Sequence, residues 1–128
     1  MGDRRMATGV LRMCFAGPAG IAASVLHGIF ERALSCDSGE SGLDGPLGAM
    51  VEHETRKVSS VFRGLEEEGV AIRVGLRTEG KWSIVEVALS GPPGPIRDVL
   101  YGGRLQDLAL KTLGRNPFIR IEREFGDG

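Results

Sequence analysis

Arginine is the residue type best placed to do chemistry in this chain. If the strands argued for below alternate their side chains, Arg12, Arg73, Arg77 and Arg120 fall on one face of a sheet together with Trp82 and Glu86, and Lys81 sits at a hairpin tip beside them. Open sheets of this kind bind single-stranded RNA by stacking bases on aromatic rings and guanidinium planes while arginines neutralise phosphates. Arg12, Arg73, Arg77, Lys81, Trp82 and Arg120 are therefore the nucleic-acid-binding candidates. The competing reading is that Glu86, Glu122 and Glu124 pair with these arginines across strands and leave a solvated, salt-bridged face. One aromatic is a thin stacking platform, which favours the salt-bridged reading.

Other constellations are weaker. Gly17-Pro18-Ala19-Gly20 lies between a strand and a helix start, where Gly17, Ala19 and Gly20 could offer free N–H groups to a phosphate or carboxylate. It lacks the Gly-Lys-Ser/Thr ending of a phosphate-binding loop and the three-glycine dinucleotide fingerprint, so an ordinary tight turn is the simpler reading. His27 and Glu31 stand one helical turn apart and could share a metal with a cysteine, but metal sites usually show more ligands at characteristic spacing, and none is assigned. There is no Gly-x-Ser-x-Gly elbow and neither cysteine has a local histidine partner, so no catalytic residue and no cofactor are assigned. A small enzyme with an unrecognised site is the minority reading.

The elements that must position these residues follow from periodicity. Residues 9–16 alternate, with Leu11, Met13 and Phe15 on one side and Val10, Arg12 and Cys14 on the other, the period of a half-buried strand. Ile21, Ala22, Val25, Leu26, Ile29, Phe30, Ala33 and Leu34 recur at helical spacing. Residues 37–46 have the composition of a mobile surface loop, with Pro46 suited to the first turn of a second helix. In that helix Leu47, Val51, Val58, Val61 and Leu65 keep one apolar face, with Glu54 the exception, so one continuous helix is expected, capped by Gly69. Val70, Ile72, Val74 and Leu76 alternate with Ala71, Arg73, Gly75 and Arg77, and a second run from Trp82 to Leu89 completes a β-hairpin. Residues 90–95 read as a stiff turn, 96–113 as a helix weakened at Gly102-Gly103, and Phe118, Ile119 and Ile121 as a last strand before a tail at 126–128. The expectation is a single α+β domain over 1–128, order β-α-α-β-β-α-β, with a four-stranded, mainly antiparallel sheet covered by helices on one face.

Composition bounds the rest. The 128 residues suit one domain, and 16 basic against 17 acidic residues exclude the broad cationic field of a nucleic-acid coat, so any charge-driven function is local. Residues 37–69 hold eight acidic and three basic residues, concentrating the acid in the loop and second helix. Arg outnumbers Lys 13 to 3, a balance that suits a heat-adapted protein and equally codon bias. Two cysteines are too few for a disulfide framework, which points to a reducing, cytoplasmic home. Arg12, Gly17 and Pro18 interrupt what would otherwise resemble a secretory signal, and no apolar run approaches the ~20 residues of a membrane span.

Two family resemblances bear on function. Leu47-Gly48-Ala49-Met50, then residues 56–69 and a hairpin carrying Arg77 and Lys81, resemble the helix-turn-helix and wing of winged-helix DNA-binding proteins. That resemblance implies DNA as partner, with Arg56, Lys57, Ser60 and Arg63 near the major groove. The β-α-(insert)-β-β-α order, the run from Trp82 to Leu89 and Ile96-Arg97-Asp98-Val99-Leu100 resemble the small dimerising subunit of the KEOPS complex, which modifies tRNA. Tyr101-Gly102-Gly103 stands where that family has an Asn-Ser pair, and no binding residue is carried across. The expected role is a non-catalytic binding or assembly subunit in an RNA- or tRNA-related complex, with a protein partner or a homodimer; a winged-helix DNA-binding regulator is the alternative.

Overall fold

The structure is a computed structural model that describes residues 6–17, 20–35, 45–102, 105 and 119–127. Its elements are β1 (Ala7–Ala16), α1 (Gly20–Ser35), α2 (Gly45–Glu67), β2 (Ala71–Glu79), β3 (Trp82–Gly91), α3 (Pro93–Gly102) and β4 (Ile119–Asp127). The strands form one sheet in the order β2-β3-β1-β4, every neighbouring pair antiparallel. β3 thus lies between β1 and β2, and β1 between β3 and β4, which makes two interleaved split β-α-β units. Both terminal strands join the hairpin's sheet, as their alternation predicts.

Period-2 geometry sorts the side chains. Leu11, Met13, Phe15, Val85, Val87 and Leu89 face the helices and are buried. Against them pack Leu26, Ile29, Phe30, Val58, Phe62, Leu65, Ile96 and Leu100, with the Phe30 and Phe62 rings tilted at 53° and their centroids 5.9 Å apart. α3 reaches the sheet because position 9 has no side chain: a Cβ there would lie 2.5 Å from Ile96 Cγ2 and 2.8 Å from Leu100 Cδ1.

α2 is one continuous helix across residues 45–67, so the apolar face wins over the polar interruption at 52–57. The turn that would set a recognition helix at an angle is absent from this stretch, and the winged-helix resemblance loses the element that carries it. The helix ends as Gly69 requires, at φ 88°: its N–H donates to Glu66 O (3.0 Å) and Val70 N–H donates to Leu65 O (2.9 Å), a Schellman cap.

Several boundaries differ from expectation. α3 starts at Pro93, inside the segment read as a stiff turn, because a proline in the first helical turn forfeits no intrahelical hydrogen bond. α2 takes in Gly45 from the expected loop and holds Pro46 in its first turn as expected, and 37–44 lie outside the described residues. β4 runs through Gly126 and Asp127, expected as tail, because they pair with Thr8 and Ala7. Of the helix expected to Leu113, residues 103–104 and 106–113, like Phe118, lie outside the described residues. No helix among the described residues is long and apolar enough to cross a membrane.

Candidate functional site

The face of the sheet turned away from the helices carries the arginines. Arg12 lies opposite Glu86 on β3 and Glu122 on β4; Arg77 lies opposite Ile84, Arg73 opposite Ala88, and Arg120 opposite Cys14. Trp82 closes the hairpin across from Glu79 and stands opposite Ala16. The alternation therefore places Arg12, Arg73, Arg77, Trp82 and Arg120 on one face as expected, with Lys81 at the turn beyond Trp82.

What it does with the charge follows the salt-bridged reading for three of the four arginines. Arg12 Nε donates to Glu86 Oε2 at 3.1 Å, and its two terminal nitrogens hold the two oxygens of Glu124 at 3.1 and 3.2 Å. Glu86 Oε2 also takes Arg77 at 3.2 Å, while Arg77 Nε meets Glu79 at 3.4 Å. Arg77, Glu86, Arg12 and Glu124 thus form a continuous charge ladder from β2 to β4. Arg120 pairs with Glu122 on its own strand. Arg73 is exposed and makes no ion pair with a described residue, and Lys81 Nζ lies 5.8 Å from the Trp82 ring centroid, within cation–π reach.

An apolar pair lies beside the ladder, two residues along from Arg12 and Glu86. Cys14 and Ile84 are 4% and 5% exposed although they lie on the face turned away from the described helices. Long arginine stems can cover such a pair while their heads stay in water. Burial pushes the Cys14 thiol up from its usual range. Toward the other end of the face small residues leave a shallow concavity of about 420 Å³, lined by Thr8, Val10, Ala71, Arg73, Ala88 and Ser90 among others.

Comparison with known proteins adds little. No family model matches the chain, and no curated protein does. Among solved structures it is similar to a de novo designed protein, Foldit4, at 11% identity and a TM-score of 0.47 over 96% of this chain and 98% of that one.

The remaining candidates separate. Gly17 N–H donates to Lys81 O at 3.3 Å, so this turn group of the expected anion site is committed to the hairpin. Gly20 opens α1, and Ala19 lies outside the described residues. His27 Nε2 meets Glu31 at 2.9 Å, the one-turn pair expected, and among the described residues no third metal-ligating group joins them.

The Arg12–Glu124 hydrogen bond holds the Glu124 carboxyl below its ordinary range. A carboxylate whose folded value is depressed contributes stability above its unfolded value and loses it as pH falls through the folded one. Melting temperature followed from neutral to acid pH should therefore drop through the carboxylate range, about pH 4.3 and below, and Arg12→Met should flatten that limb. Parallel limbs in the two proteins would refute the assignment.

Proposed function

We propose that the chain is a binding or assembly subunit with no catalytic step of its own, working through the face of its sheet that no described helix covers. The observation that carries this reading is the face itself: four strands wide, braced by the Arg77–Glu86–Arg12–Glu124 ladder, and bearing a small-residue concavity at one end. Its cations are largely neutralised within the face, so a protein surface that can align polar groups with fixed charge pairs suits it better than a phosphate track. An RNA-related setting rests on the groups left over, Arg73 with the Lys81–Trp82 pair.

Ala88→Tyr fills the concavity while keeping strand propensity. The tagged parent, isolated gently from its own cells, should bring down a stoichiometric macromolecule that the Ala88→Tyr chain does not, with both showing the same circular dichroism. Equal recovery by both proteins, or none by either, would reject the face as the contact surface. Nuclease treatment of the recovered complex tells RNA from protein. If RNA is the partner, binding to a labelled single strand should weaken with salt by roughly 0.7 log units per log unit for each phosphate neutralised, and Lys81→Ala with Trp82→Ala should lower it.

A further inference from the structure

β2 is an edge strand whose outer side pairs with nothing among the described residues. Seven of its nine positions are exposed, including Leu76 at 40%, one of three exposed large hydrophobic residues among those described. A long, open, regular edge is a template for another strand. The sequence of β2, Ala71-Ile72-Arg73-Val74-Gly75-Leu76-Arg77-Thr78-Glu79, constrains which strand that is.

We infer that this edge pairs with the same edge of a second copy of the chain, antiparallel and with the two-fold axis at Leu76, joining two sheets into one of eight strands. The inference deepens the assembly role proposed above and rests on it. The register follows from charge. Antiparallel pairing keeps the faces of both sheets continuous only when residues of like parity meet, so the axis must pass through a residue of β2. With the axis at Gly75, Arg73 would meet Arg77 of the second copy twice; at Arg77, the two Arg77 side chains would meet each other, and Arg73 would meet Lys81. At Val74, Arg73 would meet Gly75 and gain no partner for its charge. With the axis at Leu76, Arg73 meets Glu79 in both directions, the two Leu76 side chains cover each other, and Arg77 meets Gly75, whose Cβ position has nothing within 4 Å. Arg73 is the arginine of this face without an ion pair to a described residue, and the pairing supplies one. Arg77 keeps Glu79 and Glu86 of its own chain.

The test exploits the symmetry. Sedimentation of the parent should show a reversible dimer at about 100 µM, where even modest affinity populates the bound state. Arg73→Glu alone would set carboxylate against carboxylate at both symmetric contacts, and Glu79→Arg alone would set guanidinium against guanidinium at both. Each should weaken the dimer roughly tenfold or more, as like-charge contacts do. Mixed in equal amounts, the two variants should form a heterodimer, because each then brings two like charges to meet two of the opposite sign. Leu76→Cys should form an intermolecular disulfide under mild oxidation in a chain lacking the other cysteines, since strand partners bring Cα atoms to disulfide range. A monomeric parent, unaltered dimers of either charge variant, or a mixture that stays monomeric would each overturn the pairing. Ala88 lies on β3, one strand in from the edge and opposite Arg73, so the Ala88→Tyr chain is sedimented as well: loss of recovery by a chain that still dimerises judges the binding face separately from the edge.

Discussion

Gly91→Ala is expected to destabilise the fold by about 2–6 kcal/mol, the sum of backbone strain and overpacking. Gly91 ends β3 at φ 150°, where an L side chain is strained, and a Cβ there would lie 2.7 Å from Gly69 O and 2.9 Å from Val70 Cα. Both neighbours are main chain, so no side chain can swing aside. Relief would need the end of β3 to move away from the Schellman turn of α2, and that turn is itself fixed by Gly69 and by the Val70–Leu65 hydrogen bond. The same strand end pairs Ser90 with Ala71, so displacement would pull on the start of β2. Gly94→Ala is the control: Gly94 lies in α3 with open space around its Cβ position, and alanine there favours the helix. Urea unfolding should show a large loss of midpoint for Gly91→Ala and none for Gly94→Ala. A Gly91→Ala protein within about 1 kcal/mol of the parent, less than the smaller of the two costs, would mean the close approach is not a constraint.

This glycine shows where reading the sequence stops. Ser90-Gly91-Pro92-Pro93-Gly94-Pro95 announces a change of direction, but nothing in it tells Gly91 from Gly94, because the difference lies in a backbone 22 positions earlier that only the fold brings near. Gly9 is similar, its role being set by Ile96 and Leu100 on a helix far along the chain. What was legible was local. Alternation assigned Arg12, Arg73, Arg77, Trp82 and Arg120 to one face because it is a property of the pleat. It could not say that Arg12 reaches Glu124 diagonally as well as Glu86 directly, since that depends on the order β2-β3-β1-β4. Nor could composition show Leu76 at an open edge, because an apolar residue in an alternating run reads as core wherever the strand lies in the sheet.

The one break in the apolar pattern of α2 supplies the second large effect, of opposite sign. Glu54 is only 8% exposed, between Val51 and Val58 on the face that packs inward. Its Oε1 lies 3.8 Å from the Nζ of Lys57, at the limit of an ion pair and with that lysine half in water, and its Oε2 is buried without a hydrogen-bond partner among the described residues. An unpaired buried carboxylate oxygen costs more than a distant ammonium returns. Glu54→Leu, which keeps the helix and removes the desolvated group, is expected to stabilise the chain by about 1–3 kcal/mol. Glu54→Gln should fall between, because it discards the charge but retains a polar head to be satisfied. The order expected from urea midpoints is therefore leucine above glutamine above the parent. If leucine instead lowers the midpoint, the carboxylate is engaged by a group that the described residues do not show, and the pattern break marks a contact where it otherwise marks a defect in the core.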